Sequence, residues 1–564
     1  MLTFQEHLTH SLTDRWFYLL VAAGLLLNAT GLYPPILEPD GALYASIAKT
    51  MALNGDFVNL FAIGRDWLDK PHFPFWITAF SYLVLGVNTL AYKLPALVFF
   101  GLSTAYTYRF TRLMYPKPVA QVATLVFLTA FHGILSNSDV RAEPYLTALV
   151  IGPVYHFYRV YQNAPKPWLH IVLGSFLTGC ALMTKGPFVV VPIGAGLVLH
   201  WLLTGHWREL LKPRWYSVVI LSALFTLPEI ISLYRQFDLH PDKVVFGKTD
   251  VSGVRFFFWD SQFGRFFNTG PIKGSGDPFF FVHTLLWAFL PWSLPLYVGV
   301  GTVLLKLARR HNPLPEYVSL GSGLATFLLF SASGFQLPHY MNIVFPFFAI
   351  LTAQFLVSLS PASLRRWTLG QTVIGGLLVA LIVAVLLLFQ PGQLGGALTW
   401  VAVVALATTL LFRGHDLLAL MGRMTGVMLL LAGVLNLFFY PSLLQYQAGM
   451  VAAEYVNTRP DLPPTTAIYG SGTYGESAWS YEFYVDRPVW YARPDSVLRQ
   501  RVRREPVLVF TSAAYADSLR DRGFAPRTVA TFPYYHVSKL SYPFLNPATR
   551  PQTLRPYVLL EVKN

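Results

Sequence analysis

Charge is scarce in this chain. Of its 564 residues, 12% are Asp, Glu, Lys or Arg and 54% are hydrophobic. The apolar runs repeatedly reach the ~20 residues that a helix needs to cross a bilayer core of about 30 Å. The composition is that of a polytopic membrane protein. Cys180 is the one cysteine, so no intramolecular disulfide can form and the redox compartment is left unread. No His-x-x-x-His pair or cysteine cluster marks a strong metal site, which leaves a divalent metal open but unassigned and no cofactor certain. No basic stretch interleaved with stacking aromatics accompanies the net charge of +14, so nucleic acid is not an expected partner. The chain also lacks internal repeats, low-complexity tracts, and a basic leader followed by a small-residue cleavage site. Residues 16–33 therefore read as a retained anchor.

Most of the basic residues sit in short turns between apolar runs: RFTRLMYPK (109–117), YRVYQNAPKPW (158–168), HWRELLKPRW (206–215), KLARRH (306–311), LRRW (364–367) and RGHDLLALMGR (413–423). Such turns stay cytoplasmic. Counting outward from them gives spans near 16–33, 92–113, 119–137, 144–160, 168–184, 187–204, 215–233, 279–304, 316–332, 338–358, 367–389, 396–412 and 424–440, about 13 helices. The count requires residues 73–87 to lie in the interface, which Phe73, Phe75, Trp76, Phe80 and Tyr82 suit. A short extra span is the competing reading. The outer loops are then 34–91 and 234–278, with shorter turns at 137–144, 185–187 and 333–340. After residue 440 hydrophobicity falls. Strand-like TTAIYG (465–470), PVLVFTS (506–512) and YVLLEV (557–562) alternate with helical stretches near 448–457 and 513–522, as in a small soluble α/β domain. The expected division is a membrane domain over 1–440 and a soluble domain over 441–564. SGTYGES (471–477) is too loose for a phosphate loop and reads as a strand-to-helix turn.

Ionisable residues beside a bilayer pay for desolvation and need a partner or a function. They gather in the outer segments. In EPDGALYASIAKTM (38–51), Asp40 is either functional or a helix N-cap, and Tyr44 follows it by one turn. In WLDKPHFPFW (67–76), Asp69 and Lys70 are either a local ion pair or a lysine at headgroup height aimed at phosphate. SNSDVRAEPY (136–145) carries Asp139, Arg141 and Glu143. An outward arginine runs against the charge bias, so it calls for an anion or for a structural pair with its neighbours. Lys185 of ALMTKGPF (181–188) is a phosphate contact or a snorkelling lysine. The 234–278 loop adds Arg255, Trp259, Asp260 and Arg265, with His283 just beyond. SASGFQLPHYMNIVFP (331–346) adds His339 and Tyr340, against which stands a plain loop with an aromatic anchor.

The ordered set EPDGALYASIAKTM, WLDKPHFPFW, SNSDVRAEP, ALMTKGPF and LPHYMNIVFP resembles membrane-embedded glycosyltransferases with the GT-C fold. The similarity is to the aminoarabinose transferase and protein O-mannosyltransferase relatives that use polyprenyl-phosphate sugars, and it runs over about 15–350. The resemblance implies an all-α polytopic GT-C membrane domain followed by the small α/β domain. It implies a catalytic acid at Asp40, a second acidic position at Glu143, a donor-phosphate lysine at Lys70 and a site tyrosine at Tyr340. Two positions depart from the pattern: Leu43 stands where aminoarabinose-type members carry Arg, and Gln336 where their KLP element has Lys.

Together these readings expect transfer of a sugar from a polyprenyl phosphate to a lipid, glycan or protein acceptor, with inversion, at the outer face of a bacterial cytoplasmic membrane, the bilayer itself being a partner. Asp40 is expected as general base, with Glu143 as its catalytic companion. Lys70, Arg141 and Lys185 are expected on the donor phosphate, and Tyr44, Asp69, Asp139, His339 and Tyr340 around the substrate. The rival is a transporter or flippase for a lipid-linked or anionic substrate, for which Pro192 and Pro228 would break helices near the midplane.

Overall fold

The computed structural model describes residues 12–309, 314–470, 477–492 and 495–563. Residues 471–476 of the SGTYGES turn and residues 310–311 of the KLARRH turn therefore lie outside the described residues. The chain begins with α1 (Asp14–Ala29), capped by the Thr13 hydroxyl, which accepts the Trp16 N–H. Then come α2 (Asp40–Asn54), a short hairpin of β1 (Phe61–Ala62) and β2 (Arg65–Asp66), and α3 (Phe73–Leu85). Pro39 holds the N-cap position of α2 and no side chain caps it. Asp40 is the first helical residue, so the capping reading is corrected and its carboxylate is left for other partners. The 13 residues of α3 make a rod of ~20 Å, shorter than a bilayer core.

Next are α4 (Thr89–Arg112), α5 (Lys117–Leu128), α6 (Phe131–Ser138), α7 (Glu143–Tyr161), α8 (Pro167–Lys185), α9 (Val190–Leu203) and α10 (Pro213–Leu233). Two one-turn helices in the 234–278 loop, α11 (Gly253–Arg255) and α12 (Phe263–Phe266), precede α13 (Phe280–Ala288), α14 (Ser293–Ala308), α15 (Val318–Ser331), α16 (Phe345–Val357), α17 (Pro361–Phe389), α18 (Leu394–Leu411) and α19 (Leu417–Gly433). Each expected span coincides with helix. Among the described residues seven helices are long and apolar enough to cross a membrane alone, or eight if α5 and α6, bent by 49°, are one span. The span expected over 279–304 is two helices, α13 and α14. α4 and α7 are long but rich in Tyr and Thr, and most of α7 is buried against protein, so lipid-like apolarity is not demanded of it. α10 runs unbroken through Pro228, and Pro192 sits in the first turn of α9. Neither proline breaks a helix at its middle.

Beyond α20 (Tyr440–Leu443) and α21 (Ala448–Asn457) lies a five-stranded sheet in the order β4-β3-β5-β7-β6. It contains β3 (Thr466–Ile468), β4 (Val489–Tyr491), β5 (Val507–Ser512), β6 (Ala525–Tyr534) and β7 (Arg555–Lys563). β3 is parallel to β4 and β5, and β7 is antiparallel to β5 and β6. Helices α22 (Ala478–Tyr484), α23 (Asp495–Val502), α24 (Ala513–Asp521) and α25 (Tyr542–Leu545) complete this part. β4 and β6 escape sequence patterning because β4 has three residues and β6, at the sheet edge, contains two prolines and is largely exposed.

α22 docks on α2. Lys49 Nζ donates to the carbonyls of Glu482, Phe483 and Val485, each at 2.9 Å, which answers the orphan C=O groups at the end of α22. The Tyr484 hydroxyl accepts the Ile36 N–H at 2.8 Å. The Gln447 amide accepts the Glu38 N–H and donates to the Ile36 carbonyl. The Glu38 carboxyl is buried against the Ser477 and Ser480 hydroxyls. Burial pushes it up to about 7, with those hydroxyls working the other way. Gly449 is part of the same seam: a Cβ there would run into the Ser477 carbonyl and the Ser480 hydroxyl. Gly449→Ala should therefore cost about 1–3 kcal/mol through overpacking, read as a lowered thermal midpoint of the detergent-solubilised protein. An unchanged midpoint would show that the seam yields freely.

Candidate active site

The candidate polar residues occupy the ends of apolar helices, and this brings them to one level. Asp40 opens α2, Glu143 opens α7 and Lys185 closes α8. His339 and Tyr340 lie on a 3-10 turn (Pro338–Val344) that leads into α16, Asp69 and Lys70 follow β2, and Arg265 is on α12. After Lys185 the chain turns at Gly186, whose φ of +88° and contact with the Gln262 amide leave no room for a side chain. Gln262 in turn donates to the Lys185 carbonyl at 3.1 Å, tying the 234–278 loop to the TKGP turn.

Three ionic groups result. Arg141 Nη1 lies 2.7 Å from Asp40 Oδ2, while Nη2 and Nε reach Asp139 Oδ2 at 2.9 and 3.1 Å. Burial works against the Arg141 cation, but Asp139 and Asp40 outweigh it and hold its pKa above the ordinary guanidinium value. Lys185 Nζ is 2.8 Å from Glu143 Oε1 and 4.3 Å from the centre of the Tyr340 ring. The Glu143 side chain is only 2% exposed, and His339 Nε2 stands 3.8 Å from the same oxygen. Asp69 accepts from Lys70 at 2.8 Å and also from Arg265. Burial would raise the Asp69 carboxyl, yet the two cations bring it down to about 2. Burial, helped by the nearby Arg265 and Lys185, lowers Lys70 to about 8, with Asp69 opposing. Burial beside Asp40 and Asp69 holds the Tyr44 phenol well above its usual value, and its ring packs edge-on against Trp67 and Phe75.

These groups line a polar cavity of about 390 Å³, within the usual size range of small-ligand sites. Asp40, Tyr44, Asp69, Lys70, Arg141, Glu143, Lys185, His339 and Tyr340 all face it, as does Arg265. Asp139 does not line it and stands behind Arg141. Four cations meet three carboxylates there, a balance that favours an anion. A second cavity shares Asp69, Lys70, Glu143, Lys185, Arg265 and Tyr340, but continues between Leu146, Phe188, Val189, Phe266, Phe330 and Ile343. This second cavity is small, about 70 Å³, and the charged groups form the wall that the two cavities share. Among the described residues no three His, Cys, Asp or Glu side chains come together to hold a metal ion.

Sequence reasoning gave Arg265 no role, although a cation in an outer loop was its signal. It also passed over Glu229, a carboxylate inside the apolar run of α10, where a charged residue asks for an explanation. Glu229 is fully buried. It accepts the His72 N–H at 2.9 Å and lies 3.0 Å from His72 Nδ1, while His72 Nε2 donates to the Val58 carbonyl at 2.9 Å. This clamp fixes the chain two residues beyond Lys70. The two departures from the motif pattern do not line the polar cavity. Leu43 is buried in the core. Gln336 accepts the Asp277 N–H and donates to the Phe330 and Ser331 carbonyls, pinning the end of the 234–278 loop.

A family model described as dolichyl-phosphate-mannose-protein mannosyltransferase matches residues 69–231. The undecaprenyl phosphate-alpha-4-amino-4-deoxy-L-arabinose arabinosyl transferase of Pseudomonas paraeruginosa is 28% identical over 340 residues, covering 58% of this chain and 56% of the relative. The Edwardsiella ictaluri protein of the same name is 27% identical over 367 residues, with 64% and 62% covered. The chain spans about three fifths of the length of the curated relatives it matches. The crystal structure of ArnT from Cupriavidus metallidurans bound to undecaprenyl phosphate superposes with a TM-score of 0.75 at 19% identity, over 97% of this chain and 98% of that one. The oligosaccharyltransferase of Archaeoglobus fulgidus gives 0.50 at 10% identity, over 85% and 64%. The chain has the GT-C fold, and within it the chain resembles glycosyltransferases of the aminoarabinose transferase type.

Proposed function

We propose that this chain is an inverting glycosyltransferase that takes a sugar from a polyprenyl phosphate at the outer side of a bacterial inner membrane and passes it to a lipid, glycan or protein acceptor. The observation that carries this is the set of four cations, Lys70, Arg141, Lys185 and Arg265, that line one cavity. They suit the anionic phosphate of a polyprenyl-phosphate sugar. The relatives named for undecaprenyl-phosphate aminoarabinose support the donor class. About 13 helices crossing the bilayer, with the cavity and the sheet domain on the periplasmic side, complete the reading.

In the reaction the acceptor oxygen attacks the anomeric carbon, the bond from that carbon to the phosphate oxygen breaks, and the phosphate leaves with the electron pair. Asp40 takes the acceptor's proton. Lys70, Arg265 and Lys185 meet the charge that grows on the departing phosphate. Arg141 is already engaged by Asp40 and Asp139, so its work is to hold the base in place more than to grip the donor. Glu143 does the same for Lys185. Transport is not favoured, because the charges gather at one end of the bundle and α10 is continuous at Pro228.

Asp40→Asn should lower transfer of radiolabelled sugar from its polyprenyl phosphate by about 10²–10⁴-fold while leaving undecaprenyl phosphate binding intact. Full activity in that variant would remove Asp40 from the role of base. For Lys70 the sign follows from its depressed value near 8: the ammonium is present below that pH and gives way to a neutral amine above it. Undecaprenyl phosphate affinity should fall as pH rises through 8, and Lys70→Arg should flatten that limb, since guanidinium stays charged. The same limb in both proteins would assign the titration to another group.

A further inference from the structure

Glu229 is a buried carboxylate that the reaction above does not use. α10 with its continuation, Pro213–Asp238, is long and apolar enough to cross a membrane, and a charge sealed in such a helix is costly unless it is paired. Both oxygens of Glu229 are spent on one residue. Oε2 accepts the His72 N–H at 2.9 Å, and Oε1 lies 3.0 Å from His72 Nδ1. His72 Nε2 meets the Val58 carbonyl at 2.9 Å. A carbonyl only accepts, so Nε2 carries a proton. A second proton then stands between Nδ1 and Oε1, because two lone pairs would otherwise face each other across 3.0 Å. Whichever partner holds that proton, the two side chains are neutral as a unit and need no further counter-ion.

The grip continues beyond His72. About two turns further along the chain, the buried Gln236 accepts the Leu60 N–H and donates to the Leu60 carbonyl and to Asp66 Oδ1, each at 2.9 Å. Lys243 reaches the same Asp66 oxygen at 2.8 Å. Val58, Leu60, Asp66 and His72 all hang on α10 and the residues that follow it. Asp69 and Lys70 lie between the last two of these anchors, and only Pro71, with its ring-fixed φ, separates Lys70 from His72. Leu68 is buried in one cluster with Leu233, Phe237 and Phe257. Lys70 Nζ bonds Asp69, the residue before it, a contact that travels with the segment and cannot by itself hold it in place. Asp69 is in turn held by Arg265, from the same stretch of chain beyond α10. The place of the Lys70 ammonium therefore comes from these anchors.

We propose that Glu229, acting through His72, is a positioning residue that sets Lys70 against the donor phosphate, with Gln236 steadying the other end of the segment. The proposal rests on the transferase reading above and deepens it, since it gives a carboxylate inside an apolar helix the task of aiming a cation at phosphate. Hydrogen-bond geometry carries the effect, and charge is not required for it. A glutamine at 229 would accept the His72 N–H through its carbonyl and donate an amide N–H to Nδ1, leaving the Nε2 proton on the Val58 carbonyl. A leucine would fill much of the same space and release His72.

The test uses the full chain in detergent with undecaprenyl phosphate as the ligand. At neutral pH, Glu229→Leu should weaken binding by about tenfold, the order of loss that a misplaced group brings, while Glu229→Gln should stay near the unaltered affinity. The double variant His72→Leu, Glu229→Leu replaces the pair by apolar groups, a change often neutral for stability, and should show the same loss; it decides the matter if the single variant does not fold. Glu316→Leu removes another buried carboxylate, one that accepts the Tyr115 hydroxyl and the Ser319 N–H, and should leave binding unchanged whatever it does to the thermal midpoint. Unaltered affinity in Glu229→Leu, an equal loss in Glu229→Gln, or an equal loss in Glu316→Leu overturns the proposal. Lys70 itself gives a second readout. After reductive methylation with carbon-13, the dimethylamine resonance that vanishes in Lys70→Arg should titrate at about 8 in the unaltered protein and in Glu229→Gln. Arg265, Asp69 and Lys185 surround this ammonium, so release of the segment in Glu229→Leu should move the midpoint toward that of an ordinary lysine. A midpoint that stays in place overturns the proposal. Failure of the unaltered protein to bind undecaprenyl phosphate or to use any donor strikes the transferase reading instead, and the Lys70 titration then still decides whether Glu229 positions that lysine.

Discussion

The site depends on neutralising charge at the ends of helices that are otherwise apolar. Glu143 is sealed at the start of α7, and its desolvation is offset by an ammonium 2.8 Å away at the end of α8. Removing one partner of such a buried pair would strand the other, at a cost of about 3–5 kcal/mol. The same rule recurs with Asp69 between Lys70 and Arg265, and with Arg141 between Asp40 and Asp139. Glu143–Lys185, Asp69–Arg265 and Asp40–Arg141 tie together segments far apart in the chain, so one set of contacts holds the helix ends level and builds an anion-seeking cavity.

The sheet domain is joined to the same machinery. α2 carries Asp40 at its first residue and Lys49 two and a half turns on, and Lys49 closes the end of α22. Glu38, two residues before Asp40, is held by hydroxyls from the sheet domain. The position of the carboxylate therefore depends on docking of the C-terminal part. Behind Lys70, the buried His72–Glu229 contact does similar work from α10.

Much of the site was legible because bilayers are severe. A carboxylate, arginine or lysine at the edge of an apolar run stands out against 12% charge. Hence Asp40, Lys70, Arg141, Glu143 and Lys185 could be named without coordinates, the family resemblance added Tyr340, and all six line one cavity. Partnership was legible only between near neighbours: the Asp69–Lys70 pair and a pair of Arg141 with Asp139 could be read from adjacency, whereas the reach of Arg141 to Asp40 and of Lys185 to Glu143 could not. Arg265 comes from a long loop whose path no periodicity reveals. Length and apolarity pick out seven or eight of the described helices as spans, because they measure exposure to lipid, and helices packed against protein, such as α7, need less of it.

The sequence by itself determined where helices run, that they are mostly apolar, and which few residues at their ends carry charge. Those are local properties, written in hydropathy and in turn-forming residues. Tertiary structure alone decided which distant charges meet, that they line one cavity, and that β4 and the hairpin enclose a second cleft. Pair energies fall steeply with distance and burial, and both are set by contacts between segments tens to hundreds of residues apart.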